Sequence, residues 1–131
     1  MWEKLEKVLD KTNYPYYRQG SITDTSKLPQ TFITFWNSST PFNSFYDEEP
    51  HSVDWTWAIY FYTTDPSIIY SLPNEFLKLA KEEGFILQQQ ANDIASGIEG
   101  YVGRFLIIKY KEKLWVILQK KAYMNIEVLK V

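Results

Sequence analysis

The one histidine of the chain, His51, stands among carboxylates with which it could do chemistry. Asp47, Glu48 and Glu49 precede it, and Asp54 follows it. An imidazole beside carboxylates can bind a divalent metal or form an acid/base pair. Either role needs a rigid scaffold, whereas this proline-containing run of mixed acids is typical of a solvated loop, and no second histidine is available for a facial metal site. The sequence therefore predicts neither a metal site nor a catalytic residue here.

Other catalytic patterns are equally weak. The chain has no cysteine, which excludes thiol nucleophiles, disulfides and cysteine-based zinc sites. No serine lies in the G-x-S-x-G pattern of a nucleophile elbow. Gly97, Gly100 and Gly103 are regularly spaced, but the segment after them has the pattern of a strand, which favours a hairpin turn over a phosphate-binding loop. We expect a protein that is not an enzyme and holds no cofactor.

Aromatic side chains are the most unusual part of the composition. They form 18% of the 131 residues, as 5 Trp, 10 Tyr and 8 Phe, and nearly half of them lie in residues 32–62. This content excludes a disordered chain. Three interpretations stay open for it: a packed core, a subunit interface in which Trp and Tyr act as anchors, or a surface on which sugars or bases stack.

Different aromatic residues are candidates for these roles. The candidates for a stacking surface are Trp55, Trp57, Tyr60 and Tyr62. The candidates for an interface are Phe42, Phe45, Tyr46, Tyr60, Tyr62 and Arg104. With only two arginines and a net charge of −2, the chain is not expected to bind nucleic acid specifically.

The N-terminal residues have the pattern of a helix followed by an extended segment. Apolar residues recur at helical spacing in residues 2–11, and Asn13 and Pro15 end this pattern. Residues 14–21 are aromatic and extended. Because Pro15 cannot donate a hydrogen bond, these residues are predicted to form an edge strand or an arm.

A second helix is predicted in the middle of the chain. Asp65 has the character of an N-cap and Pro66 of a first helical residue. Pro73 interrupts the pattern, which predicts either a kink or a second helix that restarts near Leu72. Gly84 marks the C-terminus of this helix.

The predicted strands surround that second helix in the sequence. They cover residues 31–37, 53–63, a segment from residue 85, residues 103–110 and residues 114–119. In the strand at 53–63, alternation directs Trp55, Trp57, Ile59 and Phe61 to the core. The strand at 31–37 is apolar on both sides and is predicted to lie away from solvent. Residues 38–52 are predicted to form a long loop, and residues 88–100 an exposed connection.

These elements predict an α+β fold with a largely antiparallel mixed sheet and one or two helices packed on one face. Residues 1–110 are expected to form a single domain, and residues 111–131 a C-terminal strand or arm of the same domain. Charge divides the chain at a similar point. Residues 1–108 carry 8 Lys and Arg against 14 Asp and Glu, a net charge of −6, whereas residues 109–131 carry 6 Lys and 2 Glu, a net charge of +4. Such a basic segment could dock on its own body or on a neighbouring subunit, or it could be a solvated tail.

Several segments together resemble a family of small tail and neck proteins of phages and prophages of Gram-positive bacteria. The resemblance covers about residues 1–110. The segments that carry it are the N-terminal helix with N-Y-P-Y-Y-R-Q-G at 13–20, L-P-Q-T-F-I-T-F-W-N at 28–37, V-D-W-T-W-A-I-Y-F-Y at 53–62, T-D-P at 64–66, E-E-G-F at 82–85 and G-R-F at 103–105.

The resemblance implies a structural role as a tail terminator, a tail-completion protein or a head–tail joining component. Proteins of this kind are small α+β domains that form rings, commonly of six subunits. It implies as partners other copies of the chain and other tail or connector proteins, with no membrane. It also implies a location in the virion, or in the host cytoplasm during assembly. An aromatic-rich carbohydrate-binding module, or another protein-interaction module, is the alternative that the residues leave open.

Overall fold

A computed structural model describes residues 2–22, 24–39, 42–46 and 49–113, with the backbone alone at residues 25, 39, 42–46 and 49–51. The predicted strand at 114–119 and the rest of the predicted C-terminal arm beyond Lys113 lie outside the described residues. The elements in chain order are α1 (Trp2–Thr12), β1 (Tyr16–Arg18), a 3-10 turn (Thr25–Lys27), β2 (Thr31–Ser39), β3 (Phe42–Tyr46), β4 (Glu49–Thr63), α2 (Leu72–Glu82), β5 (Ile86–Ile94) and β6 (Val102–Lys113).

One mixed sheet contains the six described strands. Five of them lie side by side in the order β1-β2-β4-β6-β5, and β3 pairs with β4. The pairing of β1 with β2 is parallel, and every other pairing is antiparallel. The predicted α+β fold with a largely antiparallel mixed sheet is therefore confirmed, and the three residues of β1 occupy an edge of the sheet as expected.

The long central strand β4 corrects the loop predicted for residues 38–52. β2 continues to Ser39, β3 runs from Phe42 to Tyr46, and β4 already begins at Glu49. Because Tyr46 pairs with Glu49, β3 and β4 form a hairpin with only two residues between them. The loop was predicted because residues 38–52 contain prolines and acids. The aromatic residues of the same stretch favour strands, and prolines are tolerated near strand ends.

One face of the sheet, here called the helix face, carries the hydrophobic core. Both described helices pack on it: Leu5 and Leu9 of α1 and Phe76 of α2 are fully buried there. The sheet contributes side chains that alternate along its strands, namely Ile33, Phe35, Trp57, Ile59, Phe61, Leu106 and Ile108. Alternation along β4 thus directs Trp57, Ile59 and Phe61 to the core, with Trp55 packed against them, as the sequence predicted.

The N-terminal helix is joined to the sheet by its first residue and by its last turn. The Trp2 ring stacks on Phe35 with centroids 4.9 Å apart. Tyr16 of β1 donates a hydrogen bond from Oη to Asp10 Oδ1 at 2.6 Å, and this bond to a carboxylate is the main reason that the pKa of Tyr16 is raised to about 12. The helix ends where Asn13 adopts a φ of 63°.

The start of α2 distinguishes between the two predictions for this helix, which were a kink at Pro73 and a second helix that restarts near Leu72. Asp65 accepts hydrogen bonds from the backbone N–H and the hydroxyl of Ser67, which closes a turn rather than a helix. The helix begins at Leu72, and Pro73 sits in its first turn, where a missing N–H costs no intrahelical bond. The predicted restart near Leu72 is therefore confirmed, whereas the predicted N-cap at Asp65 is wrong.

Gly84 ends α2 as predicted. It adopts a φ of +94°, and the N–H of Phe85 donates to the carbonyl of Ala80 while the N–H of Gly84 donates to that of Lys81. This pair of bonds is the Schellman motif, which satisfies carbonyls at the end of the helix. It turns the chain directly into β5.

Candidate interaction surface

The face of the sheet opposite the helix face is here called the outer face. Its central side chains are Trp36, Tyr60, Phe105 and Ile107, which define the outer patch. Trp36 lies on β2, Tyr60 on β4, and the other two on β6. Register places them together, because Tyr60 pairs with Phe105, and Ala58 lies between Trp36 and Ile107. The rings of Tyr60 and Phe105 stack with centroids 5.6 Å apart and an interplanar angle of 19°.

Trp36 is the most exposed member of the outer patch. It is 46% exposed, although its neighbour Phe35, on the helix face, is 4% exposed. The prediction that both faces of this strand lie away from solvent is therefore wrong at Trp36. The physical reason is that both described helices cover the same side of the sheet, so that alternation buries Phe35 and leaves the next side chain on the outer face.

A row of lysines continues from the outer patch along β6. Lys109, Lys111 and Lys113 alternate with residues of the helix face, so all three belong to the outer face. They pair with Thr56, Asp54 and Ser52 of β4, one of which is acidic. The row therefore makes this end of the outer face locally basic, although the chain as a whole has a net charge of −2.

A second apolar feature lies at the end of the sheet where β5 ends and β6 begins. It is a groove of about 290 Å³ whose lining includes Pro66, Tyr70, Ile94, Tyr101 and Val102 together with the polar residues Asp93 and Ser96, and it is here called the end groove. Tyr70 is 60% exposed and Val102 is 38% exposed. Tyr70 belongs to the turn before α2, so this groove lies at the end of the sheet beside the helix layer, while the ring of Tyr101 packs on Phe32 of the outer face with centroids 5.7 Å apart.

Arg104 supports one wall of the end groove. Its guanidinium lies over the Tyr70 ring, with Cζ 4.8 Å from the centroid. Nη2 donates to the carbonyl of Ala91 at 2.9 Å, and Nη1 forms an ion pair with Asp93. The arginine thereby holds the turn before α2, β5 and β6 in one arrangement.

Acidic side chains flank the end groove. Asp93 is among the residues that line it, and Asp65 immediately precedes the lining residue Pro66 in the chain. The hydroxyl and the N–H of Ser67 donate to Asp65 and lower the pKa of its carboxyl, so this side chain is charged at neutral pH. Since Arg104 pairs with Asp93, the charge that remains at the groove is negative.

Three of the six predicted interface residues, Tyr60, Tyr62 and Arg104, lie in three different places. Tyr60 belongs to the outer patch. Tyr62 shares the outer face but is buried against Phe32, whose ring centroid is 5.1 Å away, and burial raises the pKa of the Tyr62 hydroxyl. Arg104 lies on the helix side of the sheet.

The remaining three candidates are Phe42, Phe45 and Tyr46, whose backbone lies in β3. Their side chains are outside the described part of the structure, so the prediction that they form an interface stays a prediction. The four residues proposed for a stacking surface do not form one, because Trp55 and Trp57 belong to the helix face while Tyr60 and Tyr62 belong to the outer face.

The acidic segment around His51 is also placed differently from the prediction. His51 and Asp54 are part of strand β4, whereas Asp47 and Glu48 lie outside the described residues. Within the described ranges, no three His, Cys, Asp or Glu side chains are grouped as metal ligands would be. The described helices are also each too short and too polar to cross a membrane.

Trp36 and the lysine row are not among the candidate residues that the sequence indicates. The lysines were recognised only as part of a basic segment from residue 109. The signal that could have found them is their spacing of two residues at 109, 111 and 113, which on a strand puts all three on one side. The end groove has no comparable signal, since residues 66–70 and 94–102 are brought together only by the sheet.

Neither a family model nor a curated protein matches the chain. The function is therefore inferred from the geometry of the two surface features.

Proposed function

We propose that the chain is a structural component of a phage or prophage tail or neck, a tail terminator or head–tail joining protein that acts by assembling into a ring. It works in the host cytoplasm during assembly and then in the virion. The proposal assigns it no reaction and no cofactor. Its partners are other copies of itself and other tail or connector proteins.

One observation carries the proposal. The described residues present two separate exposed apolar features, the outer patch on one face of the sheet and the end groove at the end of the sheet beside the turn before α2. Exposed apolar patches rimmed by polar residues are typical of interaction sites. A ring built from one kind of subunit needs two different surfaces on each copy, because its contacts are heterologous. The sequence resemblance to tail and neck proteins supplies the biological setting.

The alternative of a carbohydrate-binding module has less support. A stacking surface for sugars needs exposed aromatic faces, and Trp57 and Tyr62 are buried. The outer patch retains one well-exposed indole, that of Trp36.

Measurement of molar mass tests the proposal. The protein is passed over a sizing column with light scattering at about 1 μM and at concentrations up to about 1 mM, the range in which weak assembly contacts form. Rings of one defined mass that grow in population with concentration are expected, and electron microscopy should show closed particles. A chain that remains monomeric throughout this range, alone and with the tail-tube protein of its own phage, would contradict the proposal.

A further inference from the structure

We propose that Trp36 in the outer patch of one copy enters the end groove of the next copy. This inference rests on the proposed ring assembly and names the contact that builds it. The occupant of the groove is thus a second copy of this chain.

The size of the groove suits an indole ring. A cavity of about 150 Å³ lined by apolar side chains can hold benzene. The end groove has about 290 Å³, which gives room for the larger two-ring system of tryptophan. Its lining residues Pro66, Ile94 and Val102 are apolar, and Tyr70 offers an aromatic wall. Tryptophan is also among the residues that most often anchor interfaces by filling a pocket.

The charges around the two features are complementary. Beside the outer patch, Lys109, Lys111 and Lys113 form a basic row. Beside the end groove, Asp65 and Asp93 are acidic, and one of them is paired within the chain by Arg104. Two outer patches brought together would place lysines against lysines. Opposite charges therefore favour contact between an outer patch and an end groove over contact between two like features.

The placement of the two features favours a repeating contact. The outer patch lies on the sheet face opposite the helices, whereas the end groove lies beside the turn that leads into α2. A subunit that uses one to bind its first neighbour leaves the other free for the second neighbour. Contacts of this heterologous kind form a ring when the rotation between neighbours closes, and an open filament when it does not.

Two complementary variants test the contact. Trp36→Ser removes the side chain that enters the groove but leaves the groove intact. Val102→Lys places a cation in the groove, where it also repels the lysine row, but leaves Trp36 intact. Both sites are exposed, so each variant is expected to unfold at the same urea concentration as the wild type. Trp36→Phe and Glu75→Lys, an exposed charge change on α2, serve as matched controls that should still assemble.

The mixing experiment gives the decisive result. Each variant alone is expected to lose at least ten-fold in association constant. An equimolar mixture should form a one-to-one dimer and nothing larger, because it contains one working groove and one working Trp36. The dimer should weaken as salt rises from about 0.05 to 0.5 M, since screening reduces the attraction between the lysines and the aspartates.

The outcomes separate this inference from the proposed function. If the wild type forms rings and both variants still form them, or if the mixture of variants stays monomeric, the contact between Trp36 and the end groove is wrong while the ring assembly stands. If the wild type itself remains monomeric, the proposed function fails together with the contact.

Discussion

Trp57 and Phe35 meet edge to face in the middle of the helix face, with ring centroids 6.2 Å apart and an interplanar angle of 63°. Trp2 of α1 contacts both rings. The pair therefore joins the neighbouring strands β2 and β4 to the N-terminal helix.

Replacing Trp57 by alanine should cost about 3–5 kcal/mol of unfolding free energy, because it opens a large cavity in a packed core. That is a large share of the roughly 5–15 kcal/mol typical of a domain. Trp57→Phe should cost less, since the buried Nε1 of Trp57 has no hydrogen-bond partner in the part of the chain that the structure describes, and phenylalanine removes this polar group. Urea denaturation of both variants measures the difference. Near-native stability of Trp57→Ala would contradict the assignment of this face to the core.

Alanine at Gly84 should destabilise the protein more than alanine at Gly20. Both glycines have positive φ, of +94° and +85°, so both substitutions carry a backbone cost of about 1–2 kcal/mol. An added Cβ at Gly84 would also lie 3.1 Å from Cε2 of Tyr110, whereas at Gly20 it would meet open space. Thermal denaturation of the two variants isolates the contact with Tyr110. Equal loss in both would mean that the tyrosine ring moves aside freely.

The acid sensitivity of the protein should depend on Glu83. Its Oε1 lies 3.1 Å from Nζ of Lys11 and 3.5 Å from Nζ of Lys7, which ties the C-terminal end of α2 to α1. The hydrogen bond from Lys11 is the main cause that lowers the pKa of Glu83. A carboxyl with a lowered pKa in the folded state contributes stability above its ordinary pKa of about 4.3, and this contribution disappears as the pH falls through the lowered value.

Glu83→Gln should therefore lower the urea midpoint at neutral pH, and its difference from the wild type should close as the pH falls through the lowered pKa of Glu83. Glu82→Gln, one residue earlier and exposed, is the matched control, and it should leave the urea midpoint unchanged both at neutral pH and in acid. A Glu83→Gln deficit that persists unchanged in acid would show that packing, not charge, accounts for it.

Arg104→Lys should cost about 1.5–3 kcal/mol, the range for hydrogen bonds that involve a charged group. One ammonium cannot at once donate to Ala91, pair with Asp93 and cover the Tyr70 ring as the planar guanidinium does. Arg18→Lys is the control: Arg18 lies on an exposed part of β1 with Cζ 5.6 Å from the Phe35 centroid, and its replacement should cost less than about 0.5 kcal/mol. Chemical denaturation measures both, and equal costs would contradict the role of the Arg104 network.

Much of the fold could be predicted because the local sequence pattern of these elements agrees with the surroundings of their side chains in the folded protein. Alternation of apolar residues in β4 identified the core side chains Trp57, Ile59 and Phe61, and Gly84 marked the end of α2. Such signals depend only on the period of a strand or on the conformational freedom of glycine. The parallel pairing of β1 with β2 has no local signal, since residues 19–30 join the two strands by a crossover rather than by a hairpin turn.

The interaction surfaces were harder to predict because exposure depends on what lies across the sheet. The apolar strand at residues 31–37 predicted burial on both sides, yet Trp36 is nearly half exposed since both described helices lie on the other face. The prolines and acids of residues 38–52 predicted a loop, whereas β3 and β4 pair there as a hairpin. Of the six predicted interface residues, Tyr60 belongs to the outer patch, whereas Arg104 acts from behind the wall of the end groove.

The length of β4 has a mechanical consequence. Its fifteen residues span about 50 Å at the usual rise of a strand, whereas the eleven-residue helices span about 16 Å each. Pairing with β6 is continuous over residues 52–63. A force along β4 therefore loads these hydrogen bonds side by side rather than one after another. The strand therefore resists tension along its axis through many hydrogen bonds that must break together.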